Sequence, residues 1–510
     1  MPQPQLSRRR MLALAASSAL LPLDRIAAQN SRRSPNTPMN EGTVALSDLD
    51  LRLVDQERGV ARRNAAGDGK PLSIGGRAFE SGVGTHAPSR ILLRLDACAR
   101  RFRALAGVDD SADSAGSVRF VVVDRSHPGQ ERALWSGEHK KGQPALEIDL
   151  DVVGVRWLLL RVEGEGNAGG YADWAQARLE GVTRRLLPAP VPATAARMPH
   201  EEAEFLPGRL WTDTSGQRIQ AHGGGLLHHQ GKSWWHGESR ANGYVAVGVQ
   251  AYSSTDLLRW KDEGVVLPRS SYDQAHGEQT LCERPKVAFN PATQQFVMWF
   301  HYDKAGYGDS RGGVATASSP AGPWKYLGAQ RPIETSTLRD MNLFVDDDSR
   351  AYLFYAGEDN QTMHVVRLNR EWTAPESPMA EGQTWARILA GQSREAPAPF
   401  KHAGKYFLIS SACTGWAPNA GDLAVADSPL GPYKSLGNPF KGAKSSTSFD
   451  TQSTFVIPNP GAPAGSFIYL GDRWKPEALD DARYVWLPFQ VRGAGEGTSI
   501  EWRDHWKPGA

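Results

Sequence analysis

Glu283 in Cys-Glu-Arg-Pro-Lys, Asp340 in Leu-Arg-Asp-Met-Asn and Glu395 in Arg-Glu-Ala-Pro stand at corresponding places in three similar stretches of the chain. Gln452 in Asp-Thr-Gln-Ser-Thr holds the matching place in another, and Glu238 in Trp-His-Gly-Glu closes an inner strand of the first such stretch. A single acidic side chain in a turn is ordinarily a solvated charge. Several at equivalent positions of successive repeats point instead to one shared polar site. Carboxyl groups that converge can divide labour, one protonating a leaving oxygen while a second group activates water. That is what hydrolysis of an acetal needs when no metal takes part.

Two other spacings imitate catalytic motifs. His222-Gly-Gly-Gly225 matches the oxyanion loop of lipase-like esterases, and Gly308-Asp-Ser310-Arg-Gly312 spells a nucleophile elbow. An elbow needs a buried strand before its serine and a helix after it. Asp303-Lys-Ala-Gly-Tyr precedes Ser310, and the Pro320/Pro323 turn that follows excludes a helix. Gly164-Glu-Gly-Asn-Ala-Gly169 likewise lacks the helix a dinucleotide fingerprint requires.

The elements that must position the acids come from a repeat of about 50–60 residues beyond residue 205, near the length of a four-stranded propeller blade. An apolar run, a polar turn and an aromatic strand recur five times. The copies begin at Gly225, Val287, Leu343, Pro399 and Phe455. An outer-strand signature recurs two copies apart, as Ser318-Ser-Pro-Ala-Gly-Pro-Trp and Asp427-Ser-Pro-Leu-Gly-Pro-Tyr. Five blades would place the first residues of their inner strands round one mouth.

Upstream lies a different body. Arg90-Ile-Leu-Leu-Arg-Leu, Ser117-Val-Arg-Phe-Val-Val-Val and Val155-Arg-Trp-Leu-Leu-Leu-Arg-Val read as strands, with no amphipathic helix between them, which suggests a β-sandwich. The polar stretch 29–41 and a second one at 186–205, centred on Pro188-Ala-Pro-Val-Pro-Ala, read as linkers. The division is therefore 1–28, 29–41, 42–185, 186–205 and 206–510, with all-β bodies at 42–185 and 206–510. The linker predicts that the two bodies fold separately.

Composition agrees. The 510 residues include 52 Gly, 34 Pro and 16 Trp, a turn-rich and aromatic makeup that excludes a coiled coil or helical bundle. Residues 1–28 carry Ser-Arg-Arg-Arg-Met-Leu, an apolar run from Leu12 to Leu23, and small residues at 27–28. This is the pattern of a signal peptide of twin-arginine type, so a periplasmic or secreted protein is expected. Loss of its four arginines and one aspartate takes the net charge from +2 to −1, which leaves no electrostatic case for nucleic acid or an anionic membrane. Cys98, Cys282 and Cys413 are too few and too scattered for a disulfide framework or a zinc cluster.

Ordered motifs over residues 43–182 resemble the NPCBM carbohydrate-binding module, a galactose-binding-like jelly roll. They are Ser81-Gly-Val-Gly-Thr-His86, Gly107-Val-Asp109-Asp110, Gly116-Ser-Val-Arg-Phe and Gly170-Tyr-Ala-Asp173-Trp174. For His86, Asp109 and Trp174 themselves, structural roles outrank sugar contact.

Residues 206–506 resemble glycoside hydrolase family 43, and in particular its exo-β-1,3-galactanase subfamily (subfamily 24). The phrases are Ala221-His-Gly, Glu283-Arg-Pro-Lys-Val, Arg339-Asp-Met-Asn, Arg394-Glu-Ala-Pro, Thr414-Gly-Trp-Ala-Pro-Asn419 and Gly471-Asp-Arg-Trp. The resemblance implies a five-bladed β-propeller that releases terminal galactose from β-1,3-galactan with inversion. It implies Glu395 as general acid and Asp340 as the residue tuning its pKa and orientation. Gln452 would position the water, with Glu283 the other candidate for activating it. Glu238, Glu283, Arg284, Tyr307, Asn360, Thr414, Trp416, Asn419 and Asp472 would grip the sugar. The stretch Arg218-Ile-Gln-Ala-His-Gly lacks the general-base aspartate most of the family places there, as does the resembled subfamily. An arabinofuranosidase, a β-xylosidase or a non-catalytic galactan-binding lectin is the competing reading. A poly- or oligosaccharide is the expected partner, a monomer the expected state, and no cofactor is required, with a structural calcium ion left open.

Overall fold

The computed structural model describes residues 42–183 and 204–509, apart from 50, 52–53, 57–58, 113–115, 128–129 and 165–169. The expected signal peptide, the first linker and nearly all of the second lie outside these residues. Among the described residues the protein is all-β, with short 3₁₀ turns and no α-helix. None of its helical segments is long and apolar enough to cross a membrane.

Residues 42–182 form two main sheets. One runs in the order Leu146–Asp151, Arg101–Val108, Tyr171–Val182, Gly82–His86, Arg62–Arg63. The other runs Gln130–Lys140, Ser117–His127, Trp157–Glu163, Ser89–Arg94, Asp55–Gln56. Alternate residues of both sheets share one core, in which Trp174 is fully buried and meets Phe120 edge-on at 5.2 Å. Asp109 accepts the backbone N–H groups of Ser73 and Ser111, each at 2.8 Å, so it fixes a turn.

From residue 222 onward five sheets follow, each built outward from its first strand by antiparallel pairing, and the fifth adds Phe440–Lys441 at its outer edge, parallel to Ser499–Glu501. Those first strands are His222–His229, Thr280–Asn290, Arg339–Val345, Arg394–His402 and Gln452–Pro458. Each neighbours the next, and the fifth neighbours the first, so the sheets form a closed ring. The two Ser-Pro-x-Gly-Pro signatures fall between the third and fourth strands of the second and fourth sheets. Glu238 ends the second strand of the first sheet, not its innermost one, because Lys232–Glu238 pairs between two others.

The ring is fastened where it begins and ends. Phe205 and Trp506 exchange backbone hydrogen bonds of 2.8 and 3.2 Å, and their rings join Trp211 and Trp486 in one aromatic cluster. Further along the first strands the axis is filled by buried polar side chains. Lys286 Nζ donates to the carbonyls of Gly223 (2.6 Å) and Arg284 (3.2 Å), and Asn342 Nδ2 to those of Pro397 and Thr454. These bonds tie the second sheet to the first and the third to the fourth and fifth, and both side chains are almost wholly withdrawn from solvent.

Every first strand breaks register near its start, after His222, Glu283, Arg339, Glu395 and Ser453. A β-bulge puts an extra residue on one strand and re-aims the side chains beside it. Three of the bulges use a left-handed residue, Gly223 (φ 57°), Arg284 (φ 52°) and Ala396 (φ 53°). At Gly223 a Cβ would stand 2.4 Å from Oε1 of the buried Glu238, so any larger residue would have to displace that carboxylate.

Candidate active site

The bulges turn Glu283, Arg284, Asp340, Glu395 and Gln452 into a common cavity of about 260 Å³ at one mouth of the ring. Glu238, Tyr307, Asn360 and Trp416 also line it. The structure thus brings together nine of the twelve residues singled out from the sequence.

Glu395 is buried. Its Oε2 accepts from Asn360 Nδ2 and its Oε1 from Gln452 Nε2, both at 2.9 Å. Removal from water, followed by the nearby charge of Asp340, raises its pKa to about 8, against the opposing pull of Arg284. A carboxyl group in that state holds its proton at neutral pH and can donate it. Asp340 in turn is held by Arg284 Nε at 2.8 Å.

Glu283 is equally buried but has the opposite character. Burial alone would raise its pKa. The hydrogen bond from His301 and the charge of Arg240 overcome that and drive it down to about 2. Its Oε1 accepts from Arg240 Nη2 (2.9 Å) and the Tyr307 hydroxyl (3.0 Å), and its Oε2 faces His301 Nδ1 at 3.3 Å. His301 is backed by Asp303 at 3.0 Å, and the two carboxylates raise the imidazole's pKa to about 9 despite its burial. Glu238 shares Arg240, yet desolvation dominates there and lifts it to about 7.

Gln452 is saturated. Its Oε1 accepts from Arg284 Nη2 and, at 3.0 Å, from Trp474 Nε1. Its Nε2 donates to Glu395 and, at 3.1 Å, to Ser411 Oγ. Arginine and tryptophan can only donate, so the carbonyl end of the amide must face them and the NH₂ end must face Glu395. Both lone pairs and both hydrogens of the amide are committed to protein.

Three predicted residues lie outside the main cavity. Asn419 spends its side chain on Ala412 and Thr414, and the Thr414 hydroxyl donates to the Ala417 carbonyl. Both residues brace the loop that presents Trp416. Asp472 is buried behind the wall, where it accepts the Gly223 N–H at 2.6 Å and desolvation raises its pKa to about 7. Sequence reasoning missed Arg240, His301, Arg339, Cys413 and Trp474, which all line the cavity. His301 and Asp303 are polar residues in an otherwise apolar strand, and that was a usable signal. Ser310 donates to Asp303 at 2.7 Å and accepts from Arg339 Nε at 3.1 Å, and it is not among the residues lining the cavity.

Glu283, His301 and Asp340 bring three potential ligand atoms within 4.8 Å of one another. Each is already matched: Glu283 with Arg240, Asp340 with Arg284, and His301 between two carboxylates. Calcium takes six to eight oxygens, and two guanidinium groups at the same spot do not suit it.

Residues 42–180 match the NPCBM/NEW2 domain, and residues 228–451 match glycosyl hydrolases family 43. A solved family 43 β-1,3-galactosidase with galactodeoxynojirimycin is 37% identical, with a TM-score of 0.55 over 59% of this chain and 100% of its own. The exo-β-1,3-galactanase of Clostridium thermocellum is 34% identical, with a TM-score of 0.55 over 61% of this chain and 68% of its own. That of Phanerochaete chrysosporium, with β-1,3-galactotriose, is 34% identical, with a TM-score of 0.54 over 60% and 68%. Among curated proteins, α-1,3-galactosidase B of Akkermansia muciniphila is 34% identical over 141 residues, 26% of this chain. The chain spans only 17% of that protein's length.

Proposed function

The chain belongs to glycosyl hydrolases family 43 and is a glycoside hydrolase, and from that premise we propose that it releases terminal galactose from β-1,3-galactan by inversion. The observation that carries this reading is Glu395, a buried carboxyl that keeps its proton to about pH 8 at the wall of a cavity holding a second, ionised carboxylate. The cavity volume lies below the roughly 300–1,000 Å³ of drug-sized ligand pockets, which suits one sugar unit at a chain end. The ring of sheets is read as a five-bladed propeller and residues 42–182 as a jelly-roll module.

In this scheme Glu395 gives its proton to the glycosidic oxygen as the bond to the anomeric carbon breaks, and Asp340 keeps that proton in place beforehand. Water enters from the opposite face. Inversion requires about 6.5–9.5 Å between the acid and the group accepting the water's proton. In this scheme Gln452 does not take that proton, because an amide is scarcely basic and its lone pairs are both occupied; as the new bond forms, the proton passes through neighbouring water to the solvent. Gln452 orients Glu395. Glu283, with Arg240 and Tyr307, grips the sugar hydroxyls, and Trp416 and Trp474, 5.4 Å apart, offer apolar faces at the mouth. The protein acts after export through its twin-arginine-type signal, on a poly- or oligosaccharide of arabinogalactan type, as a monomer and without a required metal.

Incubation with β-1,3-galactobiose tests the reading. Galactose should appear, first as the α-anomer by NMR. Absence of any release, with galactan still bound, would establish the lectin reading in its place.

A further inference from the structure

The strand Asp55–Gln56 lies at the edge of the N-terminal sandwich, where it pairs with Ser89 and Arg90. Its outer side is pressed against the ring. Asp55 Oδ1 accepts from Arg483 Nη1 at 3.0 Å, and the Gln56 carbonyl accepts from Lys475 Nζ at 2.9 Å. Lys475 and Arg483 also share Asp481, at 2.6 and 2.8 Å. Asp55 and Lys475 are only 4% exposed and Arg483 1%. Charges this deeply withdrawn from water persist only when matched, so the contact is a fixed part of the molecule and not a passing surface pair.

Lys475 follows Trp474 directly. Trp474 donates to Gln452 Oε1, and Gln452 donates to Glu395. A continuous series of contacts therefore runs from the sandwich through Lys475 and Trp474 to the amide that orients the acid. Trp474 lies just beyond the strand Ser466–Arg473, in the non-strand stretch before Arg483, and Lys475 is tied down by Gln56 on one side and Asp481 on the other.

We propose that Asp55–Gln56 of the sandwich is a positioning element of the active site, fixing the Trp474–Lys475 segment so that Gln452 and Glu395 stand in working register. The sandwich then contributes to turnover on the smallest substrate, besides any affinity it adds for polymer. The kinetic part of this inference rests on the hydrolase reading above, whereas the structural part does not.

The test compares full-length wild type with Asp55→Ala, Asp55→Asn, Asp55→Glu and Lys475→Met, with Arg77→Ala on an exposed part of the sandwich as control. On β-1,3-galactobiose, Asp55→Ala and Lys475→Met should lower kcat roughly tenfold with KM nearly unchanged, since a small misplacement far from the chemistry acts on the barrier. Asp55→Glu should restore most of the loss, and Arg77→Ala should show none. Hydrogen exchange of residues 472–476 should quicken in the impaired variants. Asp55→Asn keeps the side-chain volume and serves if Asp55→Ala does not fold. An unchanged kcat with only polymer KM raised would overturn the proposal, as would kcat and Tm falling together while exchange at 472–476 stays as in wild type. If wild type releases no galactose, the hydrolase reading fails by itself, and the exchange comparison still decides the coupling.

Discussion

Glu283 in the second sheet and Glu395 in the fourth occupy the same place in their strands. Each stands just before a left-handed bulge residue, Arg284 or Ala396, and each lines the same cavity. Their proton occupancies are nevertheless opposite. Across the strand from Glu283 lies His301, a cation held between two carboxylates, while across from Glu395 lies the neutral Ser411. In a ring of repeats the backbone decides where a carboxyl group stands, and the charged groups set around it, His301 and Arg240 for one and Asp340 for the other, decide whether it is ionised. Two copies of one device thereby become an acid and an anionic ligand.

The contrast is broken most severely by Glu395→Gln. A rate loss of roughly 10²–10⁴ is expected on natural glycosides, the usual worth of a general acid. An aryl galactoside, which needs little protonation, should lose far less, and equal losses on both substrates would remove Glu395 from the role. Gln452→Glu comes next. It sets a carboxyl group where an NH₂ now donates to Glu395 Oε1, so activity should fall by roughly a hundredfold. Activity kept or raised would mean that a true base had been installed.

Glu283→Gln should mainly weaken binding, with KM rising about tenfold and azide having no effect. Azide rescue yielding a glycosyl azide of inverted configuration would make Glu283 the base. The pH profile sharpens the same comparison. Glu395 acts protonated and its pKa is raised to about 8, so kcat/KM should hold through neutrality and then fall about tenfold per pH unit above that value. A decline centred near pH 4–5 would show an acid that the site does not perturb.

The smallest effect belongs to His301→Gln. The histidine's folded pKa, about 9, exceeds its unfolded value of 6.5, so its contribution to stability is complete below pH 6.5 and is lost as pH rises through 9. Urea unfolding of wild type and variant should therefore differ at pH 6 and converge by pH 9.5. A gap that stays constant across this range would show that the imidazole is neutral.

The repeat, the closed set of five strands and the cavity residues at repeat starts, Glu283, Asp340, Glu395 and Gln452, were legible from periodicity, whereas Arg284, Tyr307, Asn360 and Trp416 were legible only through the family resemblance. The pairing of Glu395 with Asp340 came with the resemblance, but the groups that hold Glu283 ionised did not. Arg240, His301 and Trp474 sit on neighbouring strands or just past them, and whether they face the cavity depends on cross-strand register, which a one-residue slip reverses. Gln452 was legible as a site residue but not as a saturated one, since its partners come from positions 168, 57, 41 and 22 residues away. Thr414 and Asn419 carried a recognisable motif whose work is internal to their loop. The Pro/Ala stretch predicted separate bodies, and composition gave no hint that Asp55 would be buried against Arg483, 428 residues later.

The pairing of Phe205 with Trp506 has a kinetic corollary. These two partners are 301 residues apart, and between them lie five hairpin-built sheets that can each form from local contacts. Closing so long a loop carries an entropic cost that only a nearly complete ring can offset. Assembly should therefore proceed sheet by sheet, with the aromatic clasp as its last step. Opening the clasp should correspondingly come first when the ring unfolds, so substitution of Trp506 by alanine should speed heat inactivation and proteolysis.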